Sequence, residues 1–579
     1  MADIIVPYPP SSCPWSPSSK QQDTVVNETK RIRPRFFWHC IGAAILVTMM
    51  LIVALVCGLY FGLGHSRSIP RQADSRLTVD LGYSRYVGVD AGSGVTQWLG
   101  IRYAQPPVGD LRFRAPQDPL PDDETHTANE HGAICHFSPS TSLDPNRSED
   151  CLFLDVYAPS TGPTGKHPVL VFFQGGGFNG LSVPNLSGVS LINAGNHDMV
   201  IVTFNYRVGP WGFLASKEVK ANGQLNNGLL DQRKVLEWIQ KYIHLFGGDP
   251  GHVTMGGGSA GAAAVLMHMS AYGGRNDNLF HAVAASSQSF GAQLTVEESQ
   301  YQYDALIKRV GCSTSADTLS CLRAVPVRTL ASNNPNIPAP NGGGGNPAYM
   351  WNPCVDGDFM QGTMYSLFAQ GKYVKVPSIF GDTTNEGTIF TPASTATAAA
   401  RNTFLRNNFP KLTAAHLTQI DSLYPRAEQY PGKGEFWKSA ANAYGEMRYS
   451  CPGIYLSRLI AAADTPSWNY RWDVLSPANA RSGLGVTHSA DGAATWGYAS
   501  APDNALTPVM QAYWTSFIRT YDPNTHKLST APVWAGAGAV YLQRLHIPNQ
   551  PSAVGMTMPP EDLLARCKYL TSIGGSIGQ

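Results

Sequence analysis

Residues 252–269 read HVTMGGGSAGAAAVLMHM. A short apolar run ends in three glycines, a serine follows at position 259, and an alanine-rich stretch begins at once. Gly257, Ser259 and Gly261 satisfy G-x-S-x-G, a pattern that holds a serine exposed on a sharp strand-to-helix turn because its neighbours carry no side chains. In a chain with 57 glycines among 579 residues the pattern alone decides little. It recurs at the other end, in SIGGSIGQ (572–579), around Ser576. Context separates the two. Alanine is the best helix former, so Ser259 stands where a strand meets a helix. Ser576 has neither beside it and falls in what reads as a polar tail, 571–579.

Working outward from Ser259, apolar runs alternate with helical patterns. HPVLVFFQ (167–174) and DMVIVTFNY (198–206) are continuous hydrophobic runs of strand length, as expected of strands buried on both faces. In LLDQRKVLEWIQKYIHLF (229–246) Val235, Leu236, Ile239, Tyr242, Ile243 and Phe246 recur at helical spacing, and Gly247-Gly248-Asp249-Pro250 stops the helix. PSIFGDTTNEG (377–387) and SWNYRWDVL (467–475) read as further strands, and NALTPVMQAYWTSFIRTYDP (504–523) as a late helix. The stretch 335–351, PNIPAPNGGGGNPAYMW, is too rich in Gly and Pro for regular structure and reads as a surface loop. The alternation implies an α/β fold, a mostly parallel sheet with helices on both faces, in which ligands gather at the carboxyl ends of the strands.

The N-terminus differs. Residues 36–64 contain no Asp, Glu, Lys or Arg, and this length exceeds the roughly 20 residues that cross a bilayer. Lys30, Arg31, Arg33 and Arg35 crowd one flank against Arg67, Arg71 and Arg76 on the other. The positive-inside rule then predicts a single-pass type II membrane protein: a cytosolic tail 1–35, a signal anchor 36–64, a stem 65–78 and a lumenal or extracellular body. In that compartment disulfides are permitted and Asn146 (N-R-S) and Asn185 (N-L-S) are glycosylation acceptors. Cys13, Cys40 and Cys57 lie in the tail or span; the body keeps seven cysteines, an odd number, so at least one is unpaired within the chain.

A serine hydroxyl needs a base to take its proton, and the base a carboxylate to fix its tautomer. On this fold type the order along the chain is serine, acid, histidine. Among the later histidines, His268 and His281 come before any suitable acid, and His416 lies in a helical pattern. His488 sits in GLGVTHSADG (483–492), a glycine-bearing loop after a strand. For the acid, Glu386 in the TTNEGT turn competes with Asp382, Asp473 and Asp491. Gly175, Gly176 and Gly177, after a buried strand, offer backbone amides for a developing oxyanion, or else form an ordinary glycine turn.

Taken together, WLGIRYAQPPVGDLRFRAP (98–116), SEDCLFLDVYAP (148–159), QGGGF (174–178), NYRVGPWGFLA (205–215), the stretch 226–262, NEGTIF (385–390) and GVTHSAD (485–491) make the chain resemble the type B carboxylesterases and cholinesterase-like lipases from about residue 85 to about 550. The resemblance implies an α/β-hydrolase domain over 79–570. It implies Ser259 as nucleophile, Glu386 as acid, His488 as base, and the amides of Gly176, Gly177 and Ala260 as the oxyanion hole. It also implies disulfides Cys135–Cys151 and Cys312–Cys321, leaving Cys354, Cys451 and Cys567 unassigned. Two positions depart from the family's habit. Gly258 stands where an acid usually precedes the serine, and Gln174 where many members have histidine. Without that acid, cationic substrates gain less and neutral esters are expected.

These readings predict a carboxylic ester hydrolase working through an acyl-enzyme, with a small-molecule ester as its partner and no cofactor or metal. The alternatives are a lipase acting on acylglycerols and a non-catalytic adhesion protein, a class whose members have lost the serine or its partners. Net charge of +1 and the lack of a dense basic block in the body argue against nucleic acid.

Overall fold

The computed structural model describes residues 77–138, 144–161, 165–181 and 186–579. The expected tail 1–35, span 36–64 and nearly all of the stem therefore lie outside the described residues, as does Asn185. One compact unit covers Ala73–Gln579.

Its central sheet has eleven strands: β1 (Val89–Gly92), β2 (Val95–Arg102), β3 (Phe153–Pro159), β4 (His167–Phe173), β5 (Val200–Phe204), β6 (Gly248–Gly258), β7 (Ala282–Ser286), β8 (Ser378–Thr383), β9 (Ser467–Asp473), β10 (Arg544–Pro548) and β11 (Gly555–Thr557). Across the sheet they run β11-β10-β9-β8-β7-β6-β4-β5-β3-β2-β1. The seven from β10 to β5 are parallel, while both edges are antiparallel.

The apolar runs are continuous because the sheet is covered twice. Along β4, Val169, Val171 and Phe173 enter one core cluster, and the alternate Leu170 and Phe172 enter the other. The first face packs the helices Asn227–Tyr242 and Ala260–Gly274, the second the helix Thr507–Thr520. Each residue from Ala260 to Ala271 is buried, which is why that helix shows no polar face.

Among the described residues there are three disulfides. Cys135–Cys151 and Cys312–Cys321 are the expected pairs, and Cys451–Cys567 joins the helix Cys451–Ala462 to the C-terminal helix Glu561–Gly574. Cys354 remains a buried thiol. The C-terminus corrects one expectation. Residues 571–579 are not a solvated polar tail, because Ile573 and Ile577 pull them onto the body. There the Gln579 amide donates to the carbonyls of Phe290 and Met447.

Candidate active site

β6 ends at Gly258 and the next helix starts at Ala260, leaving Ser259 to make the whole turn. Its backbone takes φ 57° and ψ −124°, a region that a residue with a side chain occupies only when its surroundings enforce it. The flanking glycines are the enforcement. A Cβ on Gly261 would lie 2.0 Å from the Phe173 carbonyl oxygen, and one on Gly257 2.6 Å from the backbone of Gly261. The Ser259 amide donates to Ser286 O at 3.0 Å, locking the turn to the end of β7.

Glu386 follows β8 and His488 follows β9, so serine, acid and histidine all stand beyond the carboxyl ends of parallel strands. His488 Nε2 is 2.8 Å from Ser259 Oγ, and its Nδ1 bonds Glu386 Oε2. Glu386 is buried, and its other oxygen accepts from Ser287 Oγ and from the Thr383 amide, both at 2.8 Å. The imidazole and the carboxylate are therefore each fixed by more than one partner. Tyr449 lies against the imidazole at 4.3 Å between ring centroids and Phe390 meets it edge-on at 5.1 Å.

The competing acids are occupied elsewhere. Asp382 pairs with Arg544, and Asp473 accepts from Thr384 and His546. Asp491 accepts from Ser286 and Tyr470, and burial raises its carboxyl above the usual range. Of the other histidines, His268 is buried against Gln232, where burial pushes its pKa well down, and His281 Nδ1 accepts from the Val253 amide. His416 belongs to the N-cap of its helix.

Gly176 and Gly177 adopt φ 116° and 62°. A Cβ on Gly175 would come within 2.8 Å of Ser259 Cβ, so this loop backs directly onto the serine. Ala260 opens its helix, and its amide is one of the four that have no partner inside it. The expected surface loop 335–351 is irregular, as anticipated, but its end is not at the surface: Trp351 is buried and the Tyr349 ring packs over Gly177. Ser287, Tyr349 and Tyr449 have no sequence signal near the motifs; each meets the site only through the fold.

A hydroxyl, an imidazole and a carboxylate stand in one hydrogen-bonded line beyond parallel strands, the arrangement that serine hydrolysis on an α/β-hydrolase fold requires. The chain belongs to the carboxylesterase family, whose model matches residues 81–563. It is 30% identical over 472 residues to secreted lipase 4 of Gibberella zeae, covering 77% of this chain and 82% of the relative. It is 31% identical over 495 residues to secreted lipase 1 of Botryotinia fuckeliana, covering 77% and 84%. The crystal structure of Aspergillus niger EstA superposes with a TM-score of 0.83 at 38% identity, covering 87% of this chain and 99% of that one. The protein is a serine-type carboxylic ester hydrolase, and the adhesion alternative falls away.

The same comparisons overturn the type II membrane topology. Both of these lipases are named as secreted, and among the described residues no helix is long and apolar enough to cross a membrane. Residues 36–64 meet the criterion of apolar length, and the charge imbalance of their flanks sets only an orientation for a span.

Proposed function

We propose that Ser259, His488 and Glu386 form the catalytic triad of an esterase that acts on uncharged rather than cationic esters. The observation that carries this is the hydrogen-bonded line from Ser259 Oγ through the imidazole to a carboxylate that is itself held by Ser287 and Thr383. Ser259 Oγ attacks the carbonyl carbon as its proton passes to His488 Nε2. The carbonyl oxygen, now negative, accepts from the amides of Gly176, Gly177 and Ala260. His488 returns the proton to the alcohol oxygen, the C–O bond breaks, and an acyl-Ser259 remains. Water, deprotonated by the same imidazole, then releases the acid.

The preference against cations rests on Gly258, which places no carboxylate beside the serine, and on Asp491 being engaged by Ser286 and Tyr470. A lipase on acylglycerols is the second reading, favoured by a recess bordered by Pro347, Phe390, Pro392 and Phe404. Asn146, exposed on the body, is the glycan acceptor of this proposal. The deciding experiment is active-site labelling with an organophosphate and peptide mapping. Label on Ser259, lost in Ser259→Ala, supports the assignment; label on another serine defeats it. A jump in rate at a lipid interface would select the lipase reading.

A further inference from the structure

Most buried arginines of this fold have an evident anionic partner: Arg112 pairs with Glu149, Arg207 with Asp231, Arg401 with Asp421 and Arg544 with Asp382. Arg448 has none. Its side chain is 3% exposed, its Nε donates to Ser289 Oγ at 2.7 Å, and its guanidinium lies over the rings of Tyr349, Tyr444 and Tyr449 at 5.6, 5.8 and 5.9 Å.

A guanidinium offers five N–H donors in a fixed fork, and a buried charge left without a counter-ion is costly. One serine and three ring faces use only part of that capacity. Arg448 also lines a narrow recess whose other polar walls are neutral, Gln302, Asn352, Asn407 and Asn408 among them, with no carboxylate among its described lining residues. Two of the rings are shared with the catalytic machinery. Tyr349 packs over Gly177 of the proposed oxyanion hole, and Tyr449 lies against His488.

We infer that Arg448 and this recess form an anion subsite of the esterase, taking the carboxylate of an ester substrate that carries a free acid a few bonds from the scissile carbonyl. The inference rests on the ester hydrolase reading of Ser259 and extends it, from substrates without charge to substrates with a negative one. The free acid belongs either to the acyl half, as in a half-ester of a dicarboxylic acid, or to the alcohol half, as in an ester of a hydroxy acid. The chemistry recognised is the same, a planar carboxylate meeting the guanidinium fork.

Two matched pairs of substrates separate these sources. In the acyl arm, monoethyl succinate is compared with ethyl 4-methylpentanoate, which replaces the carboxylate by an isopropyl group of similar size. In the alcohol arm, the butyrate ester of 3-hydroxypropanoic acid is compared with 3-methylbutyl butyrate. At pH 7 the wild-type enzyme is expected to hydrolyse at least one acid with kcat/KM no lower than that of its isostere. In Arg448→Met that acid-to-isostere ratio should fall at least tenfold, with Arg448→Lys in between. If both isosteres outrun their acids in the wild type, the inference is overturned whether or not the variants fold. A folded Arg448→Met that leaves the ratio within twofold of wild type overturns it as well. Hydrolysis of all four esters surviving in Ser259→Ala would instead mark failure of the assignment of the nucleophile.

Discussion

The chain carries G-x-S-x-G twice, and the two copies have become different objects. Around Ser259 the glycines let a strand turn into a helix, and the hydroxyl points to His488 Nε2. Around Ser576 the same spacing follows the C-terminal helix Glu561–Gly574, and the hydroxyl donates to the Ile573 carbonyl. Crowding does not distinguish them. A Cβ on Gly574 would lie 2.1 Å from the Tyr365 ring, nearly as close as one on Gly261 to Phe173 O. What differs is the identity of the neighbour, a buried tyrosine ring in one case and sheet backbone in the other, and whether a base stands in front of the hydroxyl. Glycines of this motif therefore report tight packing; only the surrounding strand, helix and imidazole report chemistry.

The largest difference should appear on removing the hydroxyls. Ser259→Ala should lower kcat/KM for p-nitrophenyl butyrate at least 10⁴-fold, a magnitude typical of a lost nucleophile, while Ser576→Ala should stay within twofold. Comparable losses in both would erase the contrast.

The glycines come next. In Gly261→Ala the added methyl meets a backbone carbonyl that the sheet cannot move, so activity per milligram should drop more than 100-fold, or the protein should fail to accumulate. Gly574→Ala meets a tyrosine ring and should cost about 1–3 kcal/mol in denaturant unfolding while kcat stays within threefold.

A subtler comparison uses the residue before each serine, which is glycine in both copies. A Cβ on Gly258 finds nothing nearer than Phe172 Cζ at 3.9 Å, so Gly258→Glu has room for its first atom. An added carboxylate would stabilise the imidazolium of His488, raising the acidic-limb pKa of kcat/KM. It should also improve butyrylcholine several-fold relative to a neutral butyrate. Gly575→Glu, on the exposed copy, should do neither. If wild-type enzyme already hydrolyses butyrylcholine as fast as the neutral ester, the preference argued from Gly258 is wrong.

The smallest effect, outside both copies, is a control on stability. Asp503 has a buried oxygen with no hydrogen-bond partner among the described residues, and partial burial raises its carboxyl to about 6. The folded form thus holds its proton more tightly than the unfolded chain, so its contribution is full below about pH 4 and is lost as pH rises through 6. Asp503→Asn should match wild type at pH 4 and be more stable by about 1 kcal/mol at pH 7, the half-exposed site being screened. An unchanged difference between pH 4 and pH 7 would show that the carboxyl is better solvated than its position implies.

Much of this architecture is readable in the chain because burial on both faces leaves unmistakable runs. β4 and β5 lie inside 167–174 and 198–206, and the helix Asn227–Tyr242 stops before Gly247-Gly248 as its turn residues demand. Ser259 and His488 were legible from motif and order. The acid was not legible from residue chemistry alone, since four carboxylates stand at strand ends or in the loops after them; only the fold gives Asp382 to Arg544, Asp473 to His546 and Asp491 to Tyr470. Ser287, 99 residues from the Glu386 it holds, has no local signature. Arg448 was equally silent, because an arginine in a helical stretch looks solvated until its neighbours are known. The C-terminus was misread for a related reason: short polar and glycine residues around Ile573 and Ile577 hid two apolar anchors.

The bridge between Cys451 and Cys567 also bears on how the molecule is made. Its two halves are 116 residues apart, so during synthesis the first thiol waits while about a fifth of the chain is still to come. Cys354 has already been made by then, and a premature Cys354–Cys451 link would be a trap that only thiol–disulfide exchange releases. Folding itself removes the hazard. Once Cys354 is enclosed, burial pushes its thiol pKa far up, and an un-ionised, inaccessible sulfur no longer attacks anything. A host rich in disulfide isomerase should therefore give a higher yield of active enzyme than one that merely oxidises, and replacing Cys354 by serine or alanine should narrow the gap between the two hosts.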